Sequence, residues 1–194
     1  MDIHAKNITY NSSAISKEQF DAHEKLYTGY VSKVNEIQKN LVTAPRNEAS
    51  STAYSIYRGL KKGETFSLNG VILHELYFEN MSSSKTQIGL STKKIINDSF
   101  GSYENWFEDF KACGLSARGW CIFAYEQRTK TFKNILLDEH DLGFVAFMYP
   151  IIIMDMYEHA YFYDYRTDKA KYISNFTQSI DWNIIEQRAS LLLS

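Results

Sequence analysis

From Phe20 onward, apolar and aromatic side chains recur every three or four positions: Phe20, His23, Tyr27, Tyr30, Val34, Ile37 and Leu41. That period puts them on one face of a long amphipathic helix. Ser16 and Gln19 just ahead of it match a capping box, in which the two side chains satisfy free backbone donors at the helix start. Pro45 and the polar run 46–52 predict a break. A second helix is expected over 53–62, with Gly63 as its stop. A third is expected over 67–81, with Val71, His74, Phe78 and Met81 facing inward. The serines at 82–84 and Lys85 read as a linker. Shorter helices follow over 91–100 and 102–113, the latter ended by Gly114.

The period then changes from helical to strand-like. Runs 119–125 and 131–137 are rich in β-formers and are joined by a polar turn, which predicts a hairpin. A third strand is expected over 149–154, with Pro150 at its start, where a missing backbone donor is tolerated. The tail returns to helix over 171–176 and 181–192. The expected class is therefore α+β. An N-terminal α-helical hairpin lobe spans 1–85. A C-terminal lobe, 86–194, carries a three-stranded antiparallel sheet flanked by helices.

Composition narrows the function classes. In the 194 residues, 44% are hydrophobic and 15% aromatic, which excludes disorder as the dominant state. Lys and Arg number 21 against 23 Asp and Glu, a net charge of −2. That balance lacks the basic face of a dedicated nucleic-acid binder. The longest apolar run, 144–154, is too short to span a bilayer and is interrupted by Pro150. The first residues show no apolar stretch of the signal-peptide kind, so a cytoplasmic location is expected. Cys113 and Cys121 are the only cysteines, too few for a disulfide scaffold or a four-thiolate zinc site, and read as reduced thiols.

Five histidines are present, and His23, His74 and His159 draw attention. His23 and His74 lie on apolar helix faces, and His159 follows Asp155 by four residues. Each alone fits a hydrogen-bonded core histidine. An inward imidazole needs a partner or a metal, and three of them with one carboxylate suit iron, manganese or zinc.

The segment from Asp155 to Arg166, D-M-Y-E-H-A-Y-F-Y-D-Y-R, resembles the metal-binding signature of the iron/manganese superoxide dismutase family, D-x-W-E-H-A-Y-Y followed by D-Y-R. Further stretches match in order. His74 ahead of Tyr77-Phe78-Glu79-Asn80 resembles the family's ligand His ahead of F-W-E-N. Phe100-Gly101-Ser102, Gly119-Trp120 and Asp181-Trp182 resemble its F-G-S, G-W and N-W landmarks. The likeness runs from about Ile15 to Leu191.

The resemblance implies His23, His74, Asp155 and His159 as ligands of one iron or manganese ion per subunit, placed between the lobes. It implies dismutation of superoxide to dioxygen and hydrogen peroxide as the metal alternates between M(III) and M(II). It also implies a homodimer, or a dimer of dimers, in which Glu158 bridges to the partner's His159. Tyr30 would gate the substrate channel and His140 would take the place of the family's outer Gln, with Gly70 leaving room for it. Tyr157 and Trp120 would flank the ligands, and Arg166 would draw in the anion. Read without the resemblance, Tyr30 and Trp120 also fit core packing, and Glu158, His140 and Arg166 fit the surface.

The chain departs from the family in several places. Tyr157 stands for Trp, Phe162 for the second Tyr and Ile122 for the second Trp, and the first helix lacks the family's second His. From His23 to Tyr30 it is also one residue shorter, which a regular helix explains by putting His23, Tyr27 and Tyr30 on one face. Two other classes remain open on the residues: a non-haem iron oxygenase, and a non-catalytic or diverged metal-binding dimer on the same fold.

Overall fold

The computed structural model describes residues 2–47 and 51–192. Part of the polar run 46–52 thus lies outside the described residues.

Helix α1, Lys17–Thr43, starts where expected, and Ser16 Oγ accepts from the Gln19 amide at 3.1 Å. Only half of the expected capping box forms. The Gln19 side chain turns away to donate to the His159 carbonyl at 2.5 Å and to accept from the Tyr163 amide at 3.1 Å. The helix is regular throughout, and His23, Tyr27 and Val34 are buried along one face.

Helix α2, Ile56–Glu79, replaces the two helices expected over 53–62 and 67–81. Gly63 does not stop it. A Cβ there would lie 3.1 Å from Ile37 Cδ1, so this glycine lets α1 pack close. A glycine is a stop only where the chain needs a left-handed residue, and here the tertiary contact outweighs the loss of helix propensity. Pairings of Phe20 with Phe78, His23 with His74 and Tyr30 with Gly70 show that α1 and α2 run antiparallel.

The end of α2 is fastened to the rest of the molecule. The Asn80 side chain donates to the Ile153 carbonyl at 2.6 Å and accepts from Arg188 at 2.7 Å. Met81 bridges to Ile180, and the Ser82 amide donates to the Ser179 carbonyl at 2.7 Å. These bonds set the height of His74 against the sheet.

Helices α3 (Leu90–Phe100) and α4 (Tyr103–Ser116) follow, and Gly114 lies inside α4 rather than ending it. A Cβ on Gly114 would meet Met154 Cε at 2.7 Å, so its bareness seats α4 on the sheet. Strands β1 (Trp120–Glu126), β2 (Thr131–Leu137) and β3 (Met148–Asp155) form an antiparallel sheet in the order β2-β1-β3. Strand β3 begins one residue earlier than expected, so Pro150 is its third residue, and it sits where the β1–β3 register shifts, at an edge. The register pairs Trp120 with Asp155. Helix α5 (Glu158–Tyr165), about two turns of structure the periodicity did not reveal, begins two residues after β3. Helices α6 (Lys169–Gln178) and α7 (Trp182–Ser190) complete the α+β fold. None of the described helices is long and apolar enough to cross a membrane.

Candidate metal centre

Four side chains from four elements converge: His23 from α1, His74 from α2, Asp155 from the end of β3 and His159 from α5. One ligand atom from each lies within 4.8 Å of all the others. His23, His74 and Asp155 are fully buried, while the His159 side chain is 29% exposed. The Nε2 atoms of His23, His159 and His74 lie 3.1, 3.3 and 3.7 Å from the same oxygen, Asp155 Oδ2. The other oxygen, Oδ1, accepts from the Tyr157 amide at 2.9 Å, which fixes the rotation of the carboxylate.

His74 tests whether a metal fits. Its Nδ1 lies 2.6 Å from the Gly70 carbonyl, which can only accept, so Nδ1 carries the proton. Nε2 is then a bare lone pair, buried without a hydrogen-bond partner and facing a carboxylate oxygen. Lone pair against carboxylate is repulsive, and a cation between them makes both contacts attractive. The donor set of imidazoles and one carboxylate suits iron or manganese. The residues fit the ion that the sequence resemblance implied.

Electrostatics agree. Burial pushes His23 below its ordinary pKa and His74 down to about 3, which keeps both imidazoles neutral, as ligands must be. Burial opposes ionisation of Asp155, but His159 and His23 outweigh it and hold the carboxyl below the usual range. Burial lowers His159, and the Asp155 charge more than restores it, leaving it raised.

A second group stands beside this cluster. The Trp120 indole N–H donates to His140 Nδ1 at 2.9 Å, and His140 Nε2 lies 2.8 Å from Tyr30 Oη. An indole N–H can only donate, so His140 Nδ1 accepts and Nε2 carries the proton, donated to Tyr30. Burial lowers His140 to about 4. His140, on the turn after β2, is buried rather than a surface residue. Gly70 does leave space, but not directly for His140. A Cβ there would stand 3.0 Å from Tyr30 ring atoms, so the room is used by Tyr30. Tyr157 stacks on His159 at 5.1 Å and approaches His140 at 5.2 Å, joining the two groups.

Other expected residues sit farther out. Glu158 is exposed on the first turn of α5. Arg166 caps the end of α5 with its guanidinium 5.8 Å from the Phe162 ring and is exposed. Tyr27 directs its hydroxyl to Glu75 at 2.9 Å instead of the cluster.

Sequence reasoning missed three contributors. Phe66 packs 4.5 Å from His140 and 6.1 Å from Tyr30 and walls the second group. It lies eight residues before His74, on the same helical period, and only the false stop at Gly63 kept it out of the expected helix. Tyr77 packs 5.2 Å from His23 and lies on the period too. Gln19 ties α1 to α5 beside His159, and its capping-box position disguised that role.

The fold and the cluster together define a class: a helical pair meeting an α/β unit around four converging side chains that could hold one metal ion. Comparison with known proteins agrees with that class. The model for the C-terminal domain of iron/manganese superoxide dismutases matches residues 88–188. An iron superoxide dismutase of Aquifex aeolicus is 37% identical over 183 residues, 92% of this chain and 85% of that one. A manganese superoxide dismutase of Halobacterium salinarum is 32% identical over 164 residues, 83% and 79% of the two chains. An iron superoxide dismutase of Pyrobaculum aerophilum is 30% identical, covering 89% and 82%. This chain belongs to the iron/manganese superoxide dismutase family.

Proposed function

We propose that the protein dismutates superoxide, converting two superoxide ions and two protons into dioxygen and hydrogen peroxide. We assign the nitrogens of His23, His74 and His159 and the Asp155 carboxylate as the ligands of one iron or manganese ion. The observation that carries this reading is the bare His74 Nε2 facing Asp155 Oδ2 in a buried site. When bound, the ion would supply the one-electron couple that the two half-reactions share.

The chain's own residues hold ligands and protons. Gly70, through its carbonyl, keeps His74 in the tautomer that presents Nε2. Tyr157, through its amide, keeps Asp155 Oδ2 turned to the three imidazoles. Trp120 fixes His140 as an Nε2–H donor to Tyr30 Oη, so the Tyr30 hydroxyl keeps its own proton free to donate. Burial and the Asp155 charge raise the Tyr30 pKa, which keeps that proton in place near neutral pH. Tyr30 is thus the proton-holding group of the site, and His140 and Trp120 position it.

We assign the assembly as a homodimer through α5. Glu158 is exposed, and His159, part-exposed, uses only Nε2 among the described residues. Its Nδ1 is free to meet Glu158 of the partner subunit. Such a bond would orient the ring and raise its basicity as a ligand. Arg166, exposed at the end of the same helix, would add positive charge for an anionic substrate.

Three imidazoles and a carboxylate leave fewer open positions than the two-histidine set of a non-haem oxygenase, which speaks against that class. The test is metal analysis of the purified protein beside a dismutation assay. Near one iron or manganese per chain with dismutation is the expected result. A metal-replete chain that leaves superoxide to decay unaided would overturn the reading in favour of a diverged metal-binding protein.

A further inference from the structure

The two cysteines lie outside the site and play no part in the proposed reaction. Cys113 is in the last turn of α4 and part-exposed, and Cys121 is the second residue of β1 and fully buried. The Cys121 thiol lies 3.5 Å from the carbonyl of Phe110, three residues before Cys113 and so on the same helix face. Gly114, beside Cys113, lets α4 approach the sheet closely. Cys121 pairs across the sheet with Met154, whose Cε would lie 2.7 Å from a Cβ on Gly114, so Cys121 faces the turn of α4 that carries Cys113; both cysteines are free thiols.

We infer that Cys113 and Cys121 form a dithiol that hydrogen peroxide oxidises to a disulfide between α4 and β1, with Cys113 the attacking sulfur and Cys121 the resolving one. Exposure orders the roles, because only Cys113 is reachable from solvent. Acidity agrees: the neighbouring Cys121 thiol lowers the Cys113 pKa, whereas burial raises that of Cys121.

In the first step the Cys113 thiolate attacks one peroxide oxygen. The S–O bond forms, the O–O bond breaks, and the other oxygen leaves as hydroxide, which takes up the thiol proton as water. Sulfur loses two electrons and peroxide gains them, giving a sulfenic acid. In the second step the Cys121 sulfur attacks the Cys113 sulfur. The S–S bond forms, the S–O bond breaks, and the hydroxyl leaves as water with the Cys121 proton. Two thiols and one peroxide become one disulfide and two waters. The inference rests on the dismutation reading only for the natural source of the oxidant, since dismutation releases peroxide at the same molecule.

The test is intact-mass and peptide mapping of the purified protein after added hydrogen peroxide, with Cys121→Ala and Cys113→Ser beside the wild type. The wild type should lose two hydrogens as a monomer, with a Cys113–Cys121 peptide that a thiol reductant reverses. Cys121→Ala should instead gain oxygens at Cys113, and Cys113→Ser should keep Cys121 reduced. Circular dichroism checks that each variant is folded, and the wild-type peptide map stands without them. Oxygens added to wild-type Cys113 with no disulfide, or both thiols surviving peroxide, would overturn the inference. Because peroxide is added directly, a chain that fails to dismutate superoxide still gives a clear answer here.

Discussion

The inner cluster and the group beside it are both polar and both contain buried imidazole, yet their hydrogen bonding is opposite. In the outer group each imidazole nitrogen has a partner: Trp120 satisfies one side of His140 and Tyr30 the other. In the inner cluster three imidazoles crowd a single carboxylate oxygen, and the buried His74 Nε2 that faces it stands without a partner. Buried polar groups are nearly always paired, so an unpaired set marks where something from outside the chain binds. A paired set marks where the chain positions its own atoms. The contrast supports the proposed reading, in which the first group binds and the second positions.

The contrast breaks most readily at the inner cluster. His74→Ala should lower metal affinity by more than about 100-fold, since even lost outer partners cost about 10–100-fold. Elemental analysis after dialysis reads the result, and undiminished occupancy would show that the four residues do not act together.

A smaller effect is expected at the outer group. His140→Leu strands the buried Trp120 indole N–H and should cost about 1–3 kcal/mol of stability in urea unfolding. His140→Gln should recover most of this, because its amide oxygen can accept from Trp120 while its NH2 donates to Tyr30. Metal content should hold in both variants. Loss of metal in His140→Gln would mean that the two groups are not separable.

Gly70→Ala should push on the Tyr30 ring at 3.0 Å. Overpacking of this kind costs about 1–3 kcal/mol, with the lower end expected here, because the Tyr30 ring is only part-buried and the alanine gains helix propensity. Dismutation should fall severalfold at constant metal content. An unchanged rate would show that the ring's placement does not matter.

The smallest effect expected is a null one. His140 titrates at about 4, lowered from 6.5, so it stays neutral near pH 7. Folded His140 therefore binds a proton less readily than unfolded His140. Its contribution to stability is in place above about 6.5 and is lost as pH falls through about 4, where a protonated Nδ1 would oppose the Trp120 donor. The pH–rate profiles of wild type and metal-replete His140→Gln should coincide from neutral pH upward. An inflection near neutral pH present only in the wild type would contradict the assigned tautomer.

Much of the site was legible before the fold was known. The resemblance of the Asp155 and His74 stretches implied the four residues that the structure brings together, and the helical period had already put His23 and His74 on inward faces, because three- and four-residue spacings force side chains onto one face. The regular first helix followed from the shortened interval to Tyr30, and the structure contains it. The partner of Gly70 was not legible. Glycine announces only that space is needed, and whether Tyr30 or His140 fills it depends on how α1 crosses α2. Gly63 and Gly114 misled for the same reason. Both read as helix stops, and both are contact points where Ile37 and Met154 press on the backbone.

The sequence by itself determined the periodic elements, the α+β class, the family and the residues able to bind a metal. Those depend on local spacing and side-chain chemistry, which the chain carries without folding. Only the tertiary structure decided that α2 runs unbroken, that Gln19 ties α1 to α5, and that Trp120 fixes the proton of His140. These depend on which surfaces meet. Close contact between helices outweighs a residue's local propensity, and a hydrogen-bond donor acquires direction only when its acceptor, distant in sequence, is packed against it.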